Sequence, residues 1–135
     1  MPPITPGAYI KMRRCAAMLS PRDLAERLAT DPATPVHLRA EQIELIEADV
    51  QPYSPDFPAA LKAIIDLDLE VVERLEAIRD GLPAKPPQLC RICACSEYDA
   101  CRPRRGGPCG WAEVDLCTSC TPESLAALGL AQVAA

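Results

Sequence analysis

Residues 90–120 read CRICACSEYDACRPRRGGPCGWAEVDLCTSC and contain seven of the eight cysteines of the chain. Two Cys-x-x-Cys pairs, Cys90/Cys93 and Cys117/Cys120, stand at the two ends of this segment, with 23 residues between them. A Cys-x-x-Cys turn directs two thiolates at one ion, and two such turns supply the four tetrahedral ligands of a closed structural zinc site. The segment therefore predicts a small metal-binding module in which these two pairs ligate Zn²⁺.

Three further cysteines of the module, Cys95, Cys101 and Cys109, lie between the two pairs. They allow a second metal ion, bound by three protein ligands or sharing a thiolate with the first ion. An iron–sulfur cluster is the less favoured alternative, since thiolates hold those clusters as well. A third interpretation is that these thiols are buried without metal. Spacing alone does not decide which of the seven cysteines share a site.

A helix is predicted to follow the second pair. Thr121-Pro122-Glu123 is a capping signal, and apolar residues recur after it. A cysteine knuckle, a hairpin and a ligand pair at a helix N-terminus resemble a treble-clef or zinc-ribbon finger. Amides at that helix end would stabilise the thiolates. The resemblance is one of spacing and implies no particular function.

The middle of the module carries a basic loop beside Gly106-Gly107. Its three arginines could contact phosphate, although solvated surface is the simpler interpretation; they are Arg102, Arg104 and Arg105. Trp111 follows, and we expect it to pack inside the module as its one large core residue.

Residues 1–82 predict a helical domain. Ser20-Pro21 and Ser54-Pro55 each place a capping side chain before a proline suited to the first helical turn, and Gly81 can end a helix. The predicted helices span residues 7–19, 21–30, 39–48, 55–65 and 69–80. A proline-rich linker follows at residues 83–89, and the finger with its C-terminal helix occupies residues 90–135. The expected fold is mainly α: a helix-turn-helix-like bundle followed by a small cysteine-rich metal-binding finger.

The motif order in the helical domain resembles the Cro/C1-type (XRE) repressor family. In that family a basic first helix precedes a helix carrying Leu-Ala, a recognition helix reading Ile-x-x-Ile-Glu and a fourth helix bearing leucine. The matching segments cover about half of the chain and are GAYIKMRR at 7–14, LSPRDLA at 19–25, QIELIE at 42–47, and Leu61 with Ile64. Two features depart from the pattern: the connector at residues 30–38 is long, and the candidate recognition helix carries Glu41 and Glu44.

This resemblance implies sequence-specific binding to duplex DNA, with the third helix in the major groove. Arg39 and Gln42 carry over as contacts to bases or phosphates, and Lys11, Arg14 and Arg22 as contacts to the backbone. A helical bundle that no longer reads DNA is the alternative, because carboxylates facing phosphates repel. A homodimer would suit a regulator of this kind.

Two other functions fit the sequence. The cysteine segment also resembles one found in small proteins of phages and prophages, where an adaptor or inhibitor could bind a host polymerase or a defence complex. Its protein-binding surface would be an acidic helical face, formed by Asp66, Asp68, Glu70, Glu73 and Glu76. A redox or metal sensor using the spare cysteines is the third class.

Composition disfavours several classes. The single histidine, His37, has no companion residues for catalysis, so we expect no enzyme.

No apolar run approaches the ~20 residues that span a membrane, and the first residues lack a secretory signal. The expected location is cytoplasmic, where reduced thiols favour metal over disulfides. The remaining cysteine, Cys15, is expected to pack in the core.

Overall fold

A computed structural model describes residues 4–29, 33–96, 100–101 and 109–127 of the chain. These residues form six α-helices, one 3₁₀ turn and a two-stranded sheet, and about half of the described residues are helical, so the predicted helical character is confirmed. None of the described helices is both long enough and apolar enough to cross a membrane. The chain divides into a helical unit, Met1–Pro86, and a cysteine unit, Pro87–Ala135. The division falls within the predicted proline-rich linker.

Helix α1 spans Pro6–Ala16. Thr5 caps its N-terminus, since the Thr5 Oγ1 accepts the Ala8 N–H at 3.1 Å, and a proline occupies the first turn of the helix. It ends three residues earlier than predicted, because Met18 adopts a left-handed conformation with φ 60°.

The prediction that Cys15 packs in the core was wrong. Tyr9 and Ile10 are fully buried, but the predicted core residue Cys15 is exposed, while Arg13 and Arg14 are buried. Burial of arginine is tolerated where its guanidinium has partners. Arg13 Nε donates to the Asp66 carbonyl at 2.7 Å, and Arg14 pairs with a carboxylate of another helix.

Helices α2 (Pro21–Arg27) and α3 (Val36–Glu47) pack against each other. The predicted cap of α2 is confirmed as a reciprocal capping box, in which Ser20 and Asp23 each accept the backbone N–H of the other at 3.0 Å. Helix α3 begins three residues before the predicted start. The apolar residues that these two helices bury are Leu24, Ala25, Ile43 and Ile46.

Helices α4 (Phe57–Lys62) and α5 (Leu69–Arg79) complete the described part of the helical unit. The predicted cap at Ser54 was wrong: its carbonyl accepts the Phe57 N–H at 3.0 Å in a preceding turn, and α4 is correspondingly short. Gly81, with φ 75°, ends α5 as predicted, since its N–H bonds to a carbonyl of the last turn.

The cysteine unit contains an antiparallel hairpin and a short helix. Strands β1 (Trp111–Glu113) and β2 (Leu116–Cys117) pair, and a 3₁₀ turn, Thr118–Cys120, follows directly. Helix α6 spans Pro122–Ala127, as the capping signal predicted, and the predicted continuation beyond it lies outside the described residues.

Candidate metal centre

The first ligand pair lies on a tight knuckle. The Cys90 carbonyl accepts the Ala94 N–H at 2.8 Å, and the Cys90 N–H returns to the Cys95 carbonyl at 3.1 Å. Ala94 has φ 60°, the left-handed conformation that reverses the chain here. The Ile92 N–H also points at Cys90 Sγ, at 3.5 Å. This turn brings the sulfurs of Cys90 and Cys93 within 4.8 Å of each other.

The second ligand pair extends from the hairpin into the 3₁₀ turn. Cys117 ends β2 opposite Trp111, and Cys120 ends the turn. Two hydrogen bonds join the ends of the hairpin: Thr118 N–H to the Gly110 carbonyl at 2.8 Å, and Gly110 N–H to Thr118 Oγ1 at 3.0 Å. The hairpin thus holds the turn in place.

Arg91 connects the knuckle to the hairpin. Its N–H donates to the Asp115 carbonyl at 2.8 Å, and its guanidinium donates to the carboxylates of Asp115 at 2.5 Å and Glu113 at 3.3 Å. Exposed ion pairs of this kind contribute little each. The main-chain bond joins the knuckle to the turn of the hairpin.

The four predicted ligands lie together, and they could hold a metal ion. The sulfurs of Cys90, Cys93, Cys117 and Cys120 are all within 4.8 Å of one another, and all four residues are buried. A closed set of four thiolates is the donor set of structural zinc sites. Trp111 packs against this cluster, partly buried, as the sequence predicted.

The remaining three cysteines also belong to the cluster. Cys101 Sγ lies 3.2 Å from Cys93 Sγ, and Cys95 Sγ lies 3.7 Å from Cys109 Sγ. The second group with metal-ligand geometry is Cys93, Cys95, Cys101 and Cys117. It therefore contains two of the three predicted residues and two from the first group, whereas Cys109 is outside it. The spacing of the cysteines could not predict that the two groups share Cys93 and Cys117, because the sharing depends on which segments the fold places next to the knuckle.

Hydrogen bonds between the thiols shift the pKa values of hydrogen-bonded partners in opposite directions. Bonds from Cys101 and Cys117 lower the pKa of the Cys93 thiol, and bonds from Cys101 and Cys120 lower the pKa of Cys117. The partners shift oppositely, since the bond to Cys117 raises the pKa of Cys101 and of Cys120. Neighbouring thiolates repel at these distances, so the cluster can ionise fully only around a cation.

The residues predicted to contact DNA fall into three groups. Arg14 and Arg39 turn inward: Arg14 pairs with Glu47, and Arg39 donates to the Leu28 carbonyl. The exposed ones are Lys11, Arg22 and Gln42. Those outside the described residues are Arg102, Arg104 and Arg105.

Comparison of the chain with protein-family models, with curated proteins and with solved structures gave no match.

Proposed function

We propose that the chain is a sequence-specific DNA-binding regulator of phage or prophage origin, with a structural zinc finger. One observation carries this proposal. The residues of the helical unit that match the repressor-family pattern most closely are all buried: Ile10, Leu24, Ala25, Ile43, Ile46, Glu47 and Leu61. The pattern thus describes the core of a helical unit, and such a core leaves the outer side of α3 free for recognition.

The exposed residues suggest how DNA would be contacted. Gln42 lies on the outer side of α3, where an amide could read an adenine edge. Lys11 on α1 and Arg22 at the start of α2 are exposed and could contact phosphates. The guanidinium of Arg14 is hydrogen-bonded to Glu47 and would not be available to contact DNA.

The cysteine unit supports a finger of treble-clef type. Its knuckle, hairpin and helix follow one another in the expected order, with ligands on the knuckle and at the end of the hairpin. Its buried cluster contains Leu116 and otherwise only cysteines, with Trp111 packed against it. So small a core needs another source of stability, and zinc would provide it by coupling metal binding to folding.

Selection from a random pool of duplex DNA with the zinc-loaded full chain tests the proposal. Recovery of a defined motif is expected, and Gln42→Ala should weaken or relax recognition at one position, by roughly 1–3 kcal/mol. Glu73→Ala, an exposed change on α5, is the matched control and should select the same motif. A folded protein that enriches no motif would contradict DNA recognition.

The outer side of α3 also favours a second candidate, a protein-binding adaptor. Glu41 and Glu44 are exposed there, beside Leu38 and Leu45, which are 40% and 42% exposed. A partly apolar surface with two carboxylates suits a basic protein partner better than a phosphate backbone.

The two candidates respond differently to neutralising this surface. If α3 enters the groove, Glu41→Gln/Glu44→Gln should raise DNA affinity, because two carboxylates no longer oppose the phosphates. An adaptor should gain no motif-specific DNA binding from the same change. Titration of the selected duplex at several salt concentrations measures the difference.

A further inference from the structure

We propose that the cysteine unit binds two metal ions in one binuclear cluster, with the thiolates of Cys93 and Cys117 bridging both ions. The two groups of sulfurs that meet metal-ligand geometry share these two residues. One ion would be completed by Cys90 and Cys120, and the other by Cys95 and Cys101. The inference rests on the metal site of the proposed function but not on DNA binding.

The number of cysteines favours sharing over separate sites. Two independent four-thiolate sites need eight cysteines, and the cysteine unit has seven. The eighth, Cys15, lies on α1 of the helical unit. Two bridging thiolates give each ion four sulfur ligands from only six residues, leaving Cys109 over.

The distances agree with a shared edge. Tetrahedral zinc with Zn–S bonds of about 2.3 Å places its ligand sulfurs about 3.8 Å apart. The Cys93 and Cys117 sulfurs are 3.8 Å apart, so both ions can lie beside this one edge. The sulfur of Cys101 lies 3.2 Å from that of Cys93, which is shorter than this edge but far longer than the ~2.05 Å of a disulfide.

Charge balance allows the second ion. Four thiolates around one Zn²⁺ leave a net charge of about −2, and six thiolates around two ions leave the same charge. With a single ion, Cys95 and Cys101 would remain neutral thiols, buried and partly buried beside the anionic site, and would ligate nothing. A second ion would use both as thiolate ligands, and the net charge of the site would stay the same.

Cys109 has a different place in this arrangement. Its sulfur accepts the Cys101 N–H at 3.1 Å and lies 3.7 Å from Cys95 Sγ. It thus contacts both terminal ligands of the second ion from outside, where such partners orient ligands and tune a metal. Its replacement should weaken the second site without removing an ion.

Metal content of the full chain, purified with zinc and measured by native mass spectrometry, tests the stoichiometry. We expect two zinc ions per chain for the natural sequence and for Cys109→Ser, and one for Cys95→Ser/Cys101→Ser. One zinc per chain in the natural sequence would overturn the binuclear cluster while leaving the proposed single site intact. No bound metal would overturn both, and iron with inorganic sulfide would overturn the zinc cluster.

Substitution with ¹¹³Cd tests the bridges without any variant that could misfold. Two ions joined by shared sulfurs should give two resonances that are coupled to each other through those sulfurs. Two uncoupled resonances would mean separate sites and would overturn the bridging role of Cys93 and Cys117. DNA binding enters neither measurement, so its failure is distinguishable from failure of the cluster.

Discussion

Arg14 of α1 and Glu47 at the end of α3 form a buried, two-pronged ion pair. Arg14 Nε lies 2.6 Å from Glu47 Oε2, and Nη2 lies 2.8 Å from Oε1. The third nitrogen, Nη1, donates to the Leu19 carbonyl at 2.8 Å. The hydrogen bond to Glu47 raises the pKa of Arg14 despite its burial. The ion pair therefore links α1 to the C-terminal end of α3, the candidate recognition helix.

Removing one partner of this pair should be costly. Arg14→Ala leaves Glu47 as an uncompensated buried charge, and we expect a loss of about 3–5 kcal/mol in the free energy of unfolding. Arg14→Met/Glu47→Leu should recover most of that loss, because an apolar pair of similar volume needs no desolvation of charge. Urea unfolding followed by far-UV circular dichroism measures both variants. Equal destabilisation by the single and double variants would contradict this account.

Gly7 is the second point of close approach between α1 and α3. A Cβ at this position would lie 2.4 Å from the Ile46 carbonyl oxygen and 2.8 Å from that of Glu47. Backbone atoms cannot swing away as a flexible side chain can, so Gly7→Ala should destabilise the helical unit by at least about 2 kcal/mol. Cys15→Ala is the matched control on the same helix, since that side chain is exposed and should change stability little. Similar urea midpoints for the two variants would refute the contact.

Ser20 and Ser54 provide a direct test of helix capping. Both precede a proline, but only Ser20 accepts a helical N–H through its side chain. Ser20→Ala should therefore cost about 1 kcal/mol, whereas Ser54→Ala should cost much less. Thermal and urea unfolding of the two variants gives the comparison. A larger loss at Ser54 would show that the turn before α4 is more important than its hydrogen bonds indicate.

Metal removal should unfold the cysteine unit alone. Trp111 is the only tryptophan and packs against the cysteine cluster, so its emission reports on this unit. Chelator should shift that emission to the red while most far-UV helical signal remains, because the helical unit has its own apolar core.

Acidification should have the same effect on Trp111. Thiolates bind metal and thiols do not, so protons compete with the ion as pH falls. Cys120→Ser should move this transition to higher pH, and Cys15→Ser, outside the unit, should not. A pH-independent emission in the metal-loaded protein would contradict ligation by these cysteines.

Local signals predicted local structure well. The cap at Ser20, the stop at Gly81 and the helix after Thr121 are present because a cap depends on neighbours three or four residues away. Ser54 shows the limit of such signals. Its Ser-Pro pattern is the same as that at Ser20, but there the chain makes an additional turn before α4 begins at Phe57.

The face of α1 was not predictable in this way. Ile10, Cys15 and Leu19 look like an apolar stripe, yet the buried side chains include Arg13 and Arg14. Their partners are 53 and 33 residues away along the chain. Only the tertiary structure brings the Asp66 carbonyl and the Glu47 carboxylate next to these two arginines. Without such acceptors an arginine side chain would remain in solvent.

The sequence by itself determined the helical class and the two Cys-x-x-Cys pairs whose sulfurs meet at the candidate metal centre. A pair separated by two residues converges on one point through a single backbone turn, so its geometry is carried by the local sequence. The tertiary structure decided that Cys93 and Cys117 belong to both ligand groups. Both residues belong to both groups because the fold places the hairpin and Cys101 next to the knuckle. These segments are far apart in the sequence, so only tertiary packing determines their distances.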